Sequence, residues 1–191
     1  MVTLHTRRLH LEPFSELHLD GLHAMNSRPE VMRYLGGQPE TRQQTEAGVA
    51  RVQRCWAAWG TSWWALLEAK SGRIAGAGCV QYLRRGAEPP EDLGSLVGSP
   101  LEIGWRLHPD YWHQGFATEA AHAMAAFAFD KFHISELLAV RHPENVDSGR
   151  VMERLGMRFR ALEPWYGTSV ATHVITREEW LRAQASPSGL T

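Results

Sequence analysis

The sequence predicts a single α/β domain, and three observations support that fold class. The chain has 191 residues, a length that suits one domain with a sizeable core. Segments with the period of a strand alternate with segments of helical period, without an internal repeat or an interdomain linker. At the centre, an extended segment at 101–107 leads through a compact loop into an apolar, alanine-rich stretch at 118–129. That order is typical of a strand followed by a buried helix.

The composition excludes several classes of protein. Hydrophobic residues make up 43% of the chain and charged residues 21%, and the formal net charge is -1. No general basic field therefore favours nucleic acid, and no apolar run approaches the ~20 residues needed to span a bilayer. The two cysteines, Cys55 and Cys79, do not make a disulfide framework, and no secretory signal opens the chain. We expect a cytoplasmic protein without a membrane or nucleic-acid partner.

The first half of the chain contains segments with strand character and segments with helical spacing. Strands are predicted at 4–13, 63–69 and 73–83. Helices are predicted at 15–26, 29–35 and 41–59. Thr41 and Gln44 form a capping box at the start of the longest helix, and Ser71 with Gly72 is a hairpin turn between the last two strands.

The second half begins with an acidic segment rich in glycine and proline, 86–94, which predicts a mobile loop. Strands are predicted after it at 101–107, 136–141, 157–162 and 169–175. Helices are predicted at 118–129, at 145–155 and from Thr176, where Glu179 completes a second capping box. Gly156 stands where a glycine ends the second of these helices. We expect the tail 186–191 to be disordered, which leaves 1–185 as the domain.

The loop that follows 101–107 has the features of an anion-binding site. It reads Tyr-Trp-His-Gln-Gly-Phe-Ala-Thr over 111–118, and the small residues Gly115 and Ala117 allow a ligand to approach the backbone closely. Unpaired N–H groups and the helix dipole favour negative charge at a helix N-terminus. The loop therefore indicates a phosphate-bearing ligand, with an ordinary strand-to-helix turn as the alternative.

Four blocks, taken in order, resemble the GNAT N-acetyltransferases, and within them the RimJ/RimL-like branch of ribosomal-protein-alanine N-acetyltransferases. The blocks are Thr6–Phe14, Pro29–Leu35, Glu102–Leu107 with Tyr111–Ala120, and Pro143–Ser148 with Val151–Met157. The resemblance covers nearly the whole chain. It implies one GNAT-like α/β domain, with a mixed, strongly twisted sheet of about six or seven strands and helices on both faces.

The resemblance implies transfer of an acetyl group from acetyl-CoA to a primary amine, either a protein N-terminus or a small molecule. No nucleophile is evident, which favours direct transfer while both substrates are bound. A non-catalytic acyl-CoA sensor on the same fold is the alternative. No His or Cys spacing suggests a ligand set, so we expect no metal. The surplus of tryptophan suggests a homodimer.

The resemblance also assigns the cofactor site. The strand 101–107 is expected to splay from its parallel neighbour 136–141, so that the pantetheine arm pairs with the backbone of Trp105, Arg106 and Leu107. The diphosphate is expected in a cradle formed by His113, Gln114, Gly115, Phe116, Ala117 and Thr118. His113 replaces the usual glycine of the branch. Asn145 matches a position whose amide binds the pantetheine arm, although asparagine is also a good helix N-cap.

Two residues are catalytic candidates. Glu102 lies on the cofactor strand and is expected to act as the general base through water, with a surface glutamate at a strand edge as the alternative. Ser148 matches a branch position that assists the departing thiolate, with a first-turn helix serine as the alternative. Many GNATs carry a tyrosine where this chain has Met152. Candidates for acceptor contact are Arg33, Tyr34, the 86–100 loop and the Trp165–Tyr166 turn.

Overall fold

A mixed sheet of eight strands runs through residues 1–185, the part of the chain that the computed structural model describes. The strands are β1 (Leu4–His5), β2 (Leu9–Pro13), β3 (Trp63–Glu68), β4 (Ile74–Tyr82), β5 (Leu101–Leu107), β6 (Glu136–Arg141), β7 (Arg158–Trp165) and β8 (Thr168–Thr176). The helices are α1 (Leu19–Asn26), α2 (Pro29–Met32), α3 (Arg42–Trp59), α4 (Phe116–Phe132), α5 (Val146–Arg154) and α6 (Arg177–Ala185). The predicted disordered tail, 186–191, lies outside the described residues.

The strands lie in the order β1-β2-β3-β4-β5-β6-β8-β7, and β5–β6 is the parallel pair in this otherwise antiparallel sheet. The α/β class and the mixed sheet are confirmed, but the predicted count of six or seven strands is wrong. Segment 4–13 is not one strand, because the chain folds back after Thr6, whose N–H donates to the Leu9 carbonyl oxygen at 2.9 Å. β1 then pairs with β2 at the sheet edge, with Leu4 opposite Leu11.

The parallel pair β5–β6 separates almost at once. Its register contains one residue pair, Glu102 with Leu138, whereas β5 pairs with β4 along its whole length from Leu101 to Leu107. Beyond Glu102 the facing edges of the two strands are therefore unpaired with each other. Backbone donors and acceptors on such an edge need partners, and an extended ligand can supply them as an added strand does.

Alternation along β5 divides its side chains between two layers. Ile103 and Leu107 belong to the main core, in which α4 packs against β4 and β5. Glu102, Gly104 and Arg106 alternate with them and face the opposite layer, where α1 packs against β4 and α3 packs against α1. The predicted placement of helices on both faces of the sheet is confirmed.

Local sequence signals predicted most helix ends correctly. Thr41 Oγ1 accepts from the Gln44 N–H at 3.2 Å, and Thr176 Oγ1 accepts from the Glu179 N–H at 3.2 Å, so both capping boxes are formed. The loop predicted at 86–94 runs into a 3-10 turn at Leu93–Leu96.

Two N-terminal segments differ from the prediction. The segment predicted as one helix at 15–26 begins with a 3-10 turn at Glu16–His18 before α1 starts. The helix predicted at 29–35 ends at Met32, because Gly36 and Gly37 adopt left-handed conformations and the Gly37 N–H donates back to the Met32 carbonyl oxygen at 3.0 Å.

The surplus of tryptophan serves the core. Trp56, Trp64, Trp165 and Trp180 are each at most 5% exposed, and Trp64 packs edge-on against Trp56 and Phe127. These four tryptophans therefore give no argument for the homodimer, which stays a prediction. In the described part of the chain, no helix is both long and apolar enough to cross a membrane.

Candidate active site

The loop between β5 and α4 turns on two left-handed residues, His113 with φ 58° and Gly115 with φ 80°. Gly115 is the N-cap of α4, and no side chain caps that end of the helix. The first N–H groups of a helix have no acceptor within it. The amides of Phe116, Ala117 and Thr118 are therefore available to an anion, which the helix dipole also favours.

Side chains within the loop brace it rather than point to a ligand. Trp112 Nε1 donates to the Leu107 carbonyl oxygen at 2.9 Å, which ties the loop to β5. Gln114 Nε2 donates to the Asp110 carbonyl oxygen at 2.7 Å. His113 and Gln114 are exposed. The loop therefore offers backbone donors to a ligand more than side chains.

Arg8 is a residue of this site that sequence reasoning missed. Its Nε lies 2.6 Å from Glu119 Oε2, its backbone N–H donates to Glu119 Oε1 at 2.8 Å, and its Nη1 donates to the Gln114 carbonyl oxygen at 2.9 Å. The guanidinium also lies over the Phe116 ring, 4.2 Å from its centre. Arg8 thus clamps the loop to the first turn of α4, and no local pattern signals a contact between residues so far apart in sequence.

The clamp holds Glu119 as a carboxylate. Burial alone would raise the pKa of Glu119, but hydrogen bonds from Thr6 and Arg8 outweigh that effect and hold the pKa below its ordinary value. The ionised carboxylate then secures Arg8 against the loop.

Asn145 is the N-cap of α5, so the structural alternative for this residue is confirmed. Its Oδ1 accepts from the Ser148 N–H at 3.2 Å. Within residues 1–185 its Nδ2 donates to no protein acceptor. The amide therefore has one side engaged in the helix cap and a donor left for a ligand.

A cavity of about 1070 Å³ connects the β5–β6 gap with the loop and with the layer of α1 to α3. It is lined by most of the residues predicted to bind or react, namely Glu102, Trp105, Arg106, Leu107, His113, Gly115, Phe116, Ala117, Thr118, Asn145 and Ser148. Gln114 does not line it. Of the acceptor candidates, Arg33, Tyr34, Tyr166 and part of the 86–100 loop line the cavity. Trp165 instead packs in a small buried cluster with Val170 and Val174 of β8.

Glu102 faces this cavity from a buried position on β5. Gln81, which pairs with Glu102 from the adjacent strand β4, donates from Nε2 to Glu102 Oε1 at 2.7 Å. The Tyr166 hydroxyl donates to the same oxygen. Gln81 is oriented in turn by Trp63, whose Nε1 donates to Gln81 Oε1 at 3.0 Å. Within the described residues Oε2 of Glu102 makes no hydrogen bond. The alternative of an exposed edge glutamate is therefore excluded by the 5% exposure of this residue.

Tyr166 reaches Glu102 from a strained turn. With Gly167 it forms the two-residue connection of β7 and β8, and both residues have positive φ, 56° and 72°. Such turns favour Asn-Gly, and tyrosine at the first position carries a steric cost. The turn is fixed because the Tyr166 N–H donates to the Arg84 carbonyl oxygen at 3.0 Å and the Arg84 guanidinium lies over the phenol ring.

The charge of Glu102 is set by its surroundings. Burial raises the pKa of Glu102 from 4.5 to about 6, while hydrogen bonds from Gln81 and Tyr166 and the charge of Arg84 act in the opposite direction. Burial and the neighbouring Glu102 raise the pKa of Tyr166 well above its ordinary value, so the phenol stays a neutral donor. A carboxylate with a pKa near 6 is suited to accept a proton at neutral pH.

Ser148 lies in the first turn of α5 at the cavity wall, only partly buried. Met152, one turn further along, is 2% exposed and belongs to the main core. The side chain at position 152 is therefore closed off from the cavity. In residues 1–185 there is no group of three or more His, Cys, Asp or Glu residues that is able to hold a metal ion.

A gap beside a parallel strand, amides at a helix N-terminus and a buried carboxylate together suit an extended ligand with an anionic end. Residues 8–158 match the family model described as an acetyltransferase (GNAT) domain. The chain belongs to the GNAT family of acetyltransferases, and it is an acetyl-CoA-dependent N-acetyltransferase.

Relatives and solved structures agree with this family. The chain is 28% identical over 194 residues to the FsC-acetyl coenzyme A-N(2)-transacetylase of Aspergillus fumigatus, covering 95% of this chain and 79% of that protein. An acetyltransferase from Agrobacterium tumefaciens str. C58 superposes with a TM-score of 0.76 at 22% identity, over 93% of this chain and 95% of that one. The aminoglycoside acetyltransferase AAC(6')-Ib in complex with coenzyme A superposes with a TM-score of 0.72 at 16% identity, over 91% of this chain and 98% of that one. The two structures show the fold alone.

Replacing His113 by glycine tests how the loop binds. Glycine adopts positive φ without the steric cost that histidine carries, so His113→Gly is expected to raise the free energy of unfolding by roughly 0.5–1 kcal/mol. Coenzyme A affinity, measured by calorimetry, is expected to change less than about threefold, because the backbone N–H remains. His133 has φ 50° at the far end of α4, so His133→Gly is the matched control. A large loss of affinity in His113→Gly alone would show that the imidazole binds the ligand.

Glu102 is expected to make stability depend on pH. Its pKa is about 6 in the fold against 4.5 as the ordinary value. The folded state therefore binds more protons between these values, and stability falls as pH rises through that window. The difference corresponds to about 2 kcal/mol. Glu102→Gln removes the charge and keeps an acceptor for Tyr166, so it is expected to stabilise the fold by up to about 2 kcal/mol at pH ~8 and by less at pH ~5. Urea unfolding at each pH measures the change in the free energy of unfolding that Glu102→Gln causes. An equal change at the two pH values would contradict this account.

Proposed function

We propose that this N-acetyltransferase passes the acetyl group directly to a primary amine while both substrates are bound. The proposed acceptor is a peptide N-terminus or a small-molecule amine, in line with the RimJ/RimL-like branch that the sequence resembles. The observation that carries the proposal is the cavity that joins the unpaired edge of β5 to the buried Glu102 carboxylate. It supports a ternary complex, since donor and acceptor can enter one space from two sides.

The donor would be held mainly by backbone groups. The free amides at the N-terminus of α4, with His113 and Gly115 before them, suit the diphosphate. The edge of β5 from Trp105 to Leu107 suits the pantetheine arm, and the free Nδ2 of Asn145 suits one of its carbonyl oxygens. Acetyl-CoA supplies the activated acetyl thioester, and the residues around it supply position and proton transfer.

Glu102 would act as the general base. An amine must lose a proton to become the amide, and an ordered water is able to carry that proton to Oε2 of Glu102. The bonds from Gln81 and Tyr166 engage Oε1, and within the described residues they leave Oε2 without a protein partner. With a pKa of about 6 the carboxylate is mostly ionised at neutral pH, although it remains basic enough to accept the proton.

Ser148 would assist the departing thiolate. Its hydroxyl lies at the cavity wall in the first turn of α5, where the helix dipole favours the negative charge that develops on sulfur. The hydroxyl can donate a proton to that sulfur and regain one from solvent. The buried Met152 has no proton to give, which supports the serine in this role.

Release of free thiol from acetyl-CoA, measured with a panel of amines, tests the proposed function. The panel contains N-terminal peptides, polyamines, amino acids and aminoglycosides. Direct transfer predicts turnover with at least one class and intersecting double-reciprocal plots for the two substrates. Parallel plots, or an acetylated enzyme formed from acetyl-CoA alone, would overturn direct transfer. Coenzyme A binding without turnover on any amine would favour the sensor.

The pH profile of kcat/KM tests Glu102. Because the carboxylate must be ionised to act as a base, kcat/KM is expected to rise with pH through an apparent pKa of about 6. Glu102→Gln is expected to lower kcat/KM by about 10²- to 10⁴-fold. Tyr166→Phe removes a hydrogen bond that favours the ionised form, so it is expected to move the rising limb to higher pH. A profile that Tyr166→Phe leaves in place would show that Glu102 is not the titrating group.

A further inference from the structure

We propose that the acceptor amine carries a carboxylate, and that Arg106 binds this carboxylate on the acceptor side of the cavity. The inference rests on the proposed function, because it specifies the acceptor for that same site. Glu102 and Arg106 face the same layer from β5, so the base and the cation lie on one wall.

The guanidinium of Arg106 is held in a fixed orientation. It lies over the Trp63 ring, 4.5 Å from the ring centre, and its Nε donates to Asn26 Oδ1 at 3.1 Å. Within residues 1–185 neither terminal nitrogen donates a hydrogen bond to the protein, and no carboxylate forms an ion pair with Arg106. Arg106 lines the cavity, and its two terminal nitrogens form a fork that suits a planar anion.

The nearest acid, Glu40, is engaged elsewhere. Its Oε2 accepts from Asn26 Nδ2 at 2.8 Å and from Thr45 Oγ1 at 3.1 Å. These bonds orient Asn26 so that its Oδ1 faces Arg106. Burial lowers the pKa of Arg106 and the charge of Glu40 acts in the opposite direction, but an arginine stays cationic at any physiological pH. A second cation, Arg51, also lines the cavity, and its charge acts on Arg106.

Arg106 is only partly buried, but within residues 1–185 no carboxylate forms an ion pair with it. Even partial burial of an unpaired charge is costly, so the position favours an anionic ligand. The donor does not supply the missing partner. Its arm is uncharged, and its phosphates suit the amides at the start of α4. The acceptor is therefore the substrate that would supply an anion to pair with Arg106.

The span between the two groups limits the acceptor. Residues four apart on a strand have Cα atoms about 13 Å apart. The Trp63 ring and the Gln81 amide lie between the guanidinium and the Glu102 carboxylate. An amine at Glu102 and a carboxylate at Arg106 must therefore be separated by several bonds. A free ω-amino acid and a peptide with an acidic residue near its N-terminus share this chemistry.

Matched acceptor pairs test the inference and distinguish the two sources. One pair is γ-aminobutyrate and γ-aminobutyramide; the other is Ala-Glu and Ala-Gln, both with amidated C-termini. The measured quantity is the ratio of kcat/KM for the carboxylate to that for the carboxamide, which does not depend on the overall activity of a variant. The wild-type ratio is expected to exceed about 10 in at least one pair, since a charged hydrogen-bonded contact is worth that factor or more. The pair with the larger ratio identifies the source.

Arg106→Gln is expected to bring that ratio to about 1, and Arg106→Lys to restore part of it, since the charge returns without the fork. Arg54 lies on α3, exposed and away from the cavity lining, and Arg54→Gln is the matched control with the wild-type ratio. A wild-type ratio near 1, or a high ratio that Arg106→Gln retains, would overturn the inference. So would a loss of coenzyme A affinity in Arg106→Gln with the ratio intact, because Arg106 would then serve the donor. Absence of turnover with every amine would instead contradict the proposed function.

Discussion

The site depends on one break in backbone pairing. β5 and β6 meet as parallel strands at Glu102 and Leu138 and then diverge. A sheet interior normally satisfies its N–H and C=O groups by ladder bonds, and a gap within it leaves a row of them unmet. The sheet accepts the gap because β4 holds β5 along one edge and β8 holds β6 along the other. The cleft is thus a stable gap in the sheet between two sets of well-paired strands.

The same topology brings the two helix N-termini to the cleft. In a parallel pair the carboxyl ends of the strands lie at one edge, so α4 after β5 and α5 after β6 begin near each other. One start carries the free amides behind Gly115, and the other carries Asn145 and Ser148. The positive ends of two helix dipoles therefore face the region where the proposed mechanism places the phosphate and thiolate charges.

Stability is given up at the residues that would do the chemistry. Glu102 is buried where its charged form is disfavoured, and Tyr166 and His113 hold left-handed conformations that glycine would adopt more easily. These costs are tolerated because neighbouring contacts over-determine each residue, as Arg84 does for the turn at Tyr166. Polar groups that are fixed in advance need not reorganise during the reaction.

Local periodicity was sufficient to predict the elements, since every predicted helix and strand from residue 41 onward has a counterpart in the structure. The fold-back at Thr6 was missed because 4–13 alternates continuously, whereas the turn depends on hydrogen bonds between Thr6 and Leu9 that the alternation does not reveal. The position of Glu102 on the cofactor strand was predictable, but its partner Tyr166 was not, because their contact depends on how β7 and β8 fold over the segment after β4. The ion pair of Arg8 with Glu119 was not predictable either, because it also depends on how distant segments pack together.

In the proposed mechanism, different kinds of group recognise the two substrates. The sequence therefore reveals more about the donor than about the acceptor. The proposed donor contacts are mostly backbone amides and a strand edge. Because their positions depend on glycines and on helix starts, they leave a recognisable sequence motif. The proposed acceptor side consists of side chains on separate elements, with Arg106 on β5, Gln81 on β4 and Tyr166 in the β7–β8 turn. A family fold with one donor can therefore serve many amines, and the acceptor is to be sought in the charges of the cavity wall rather than in the motif.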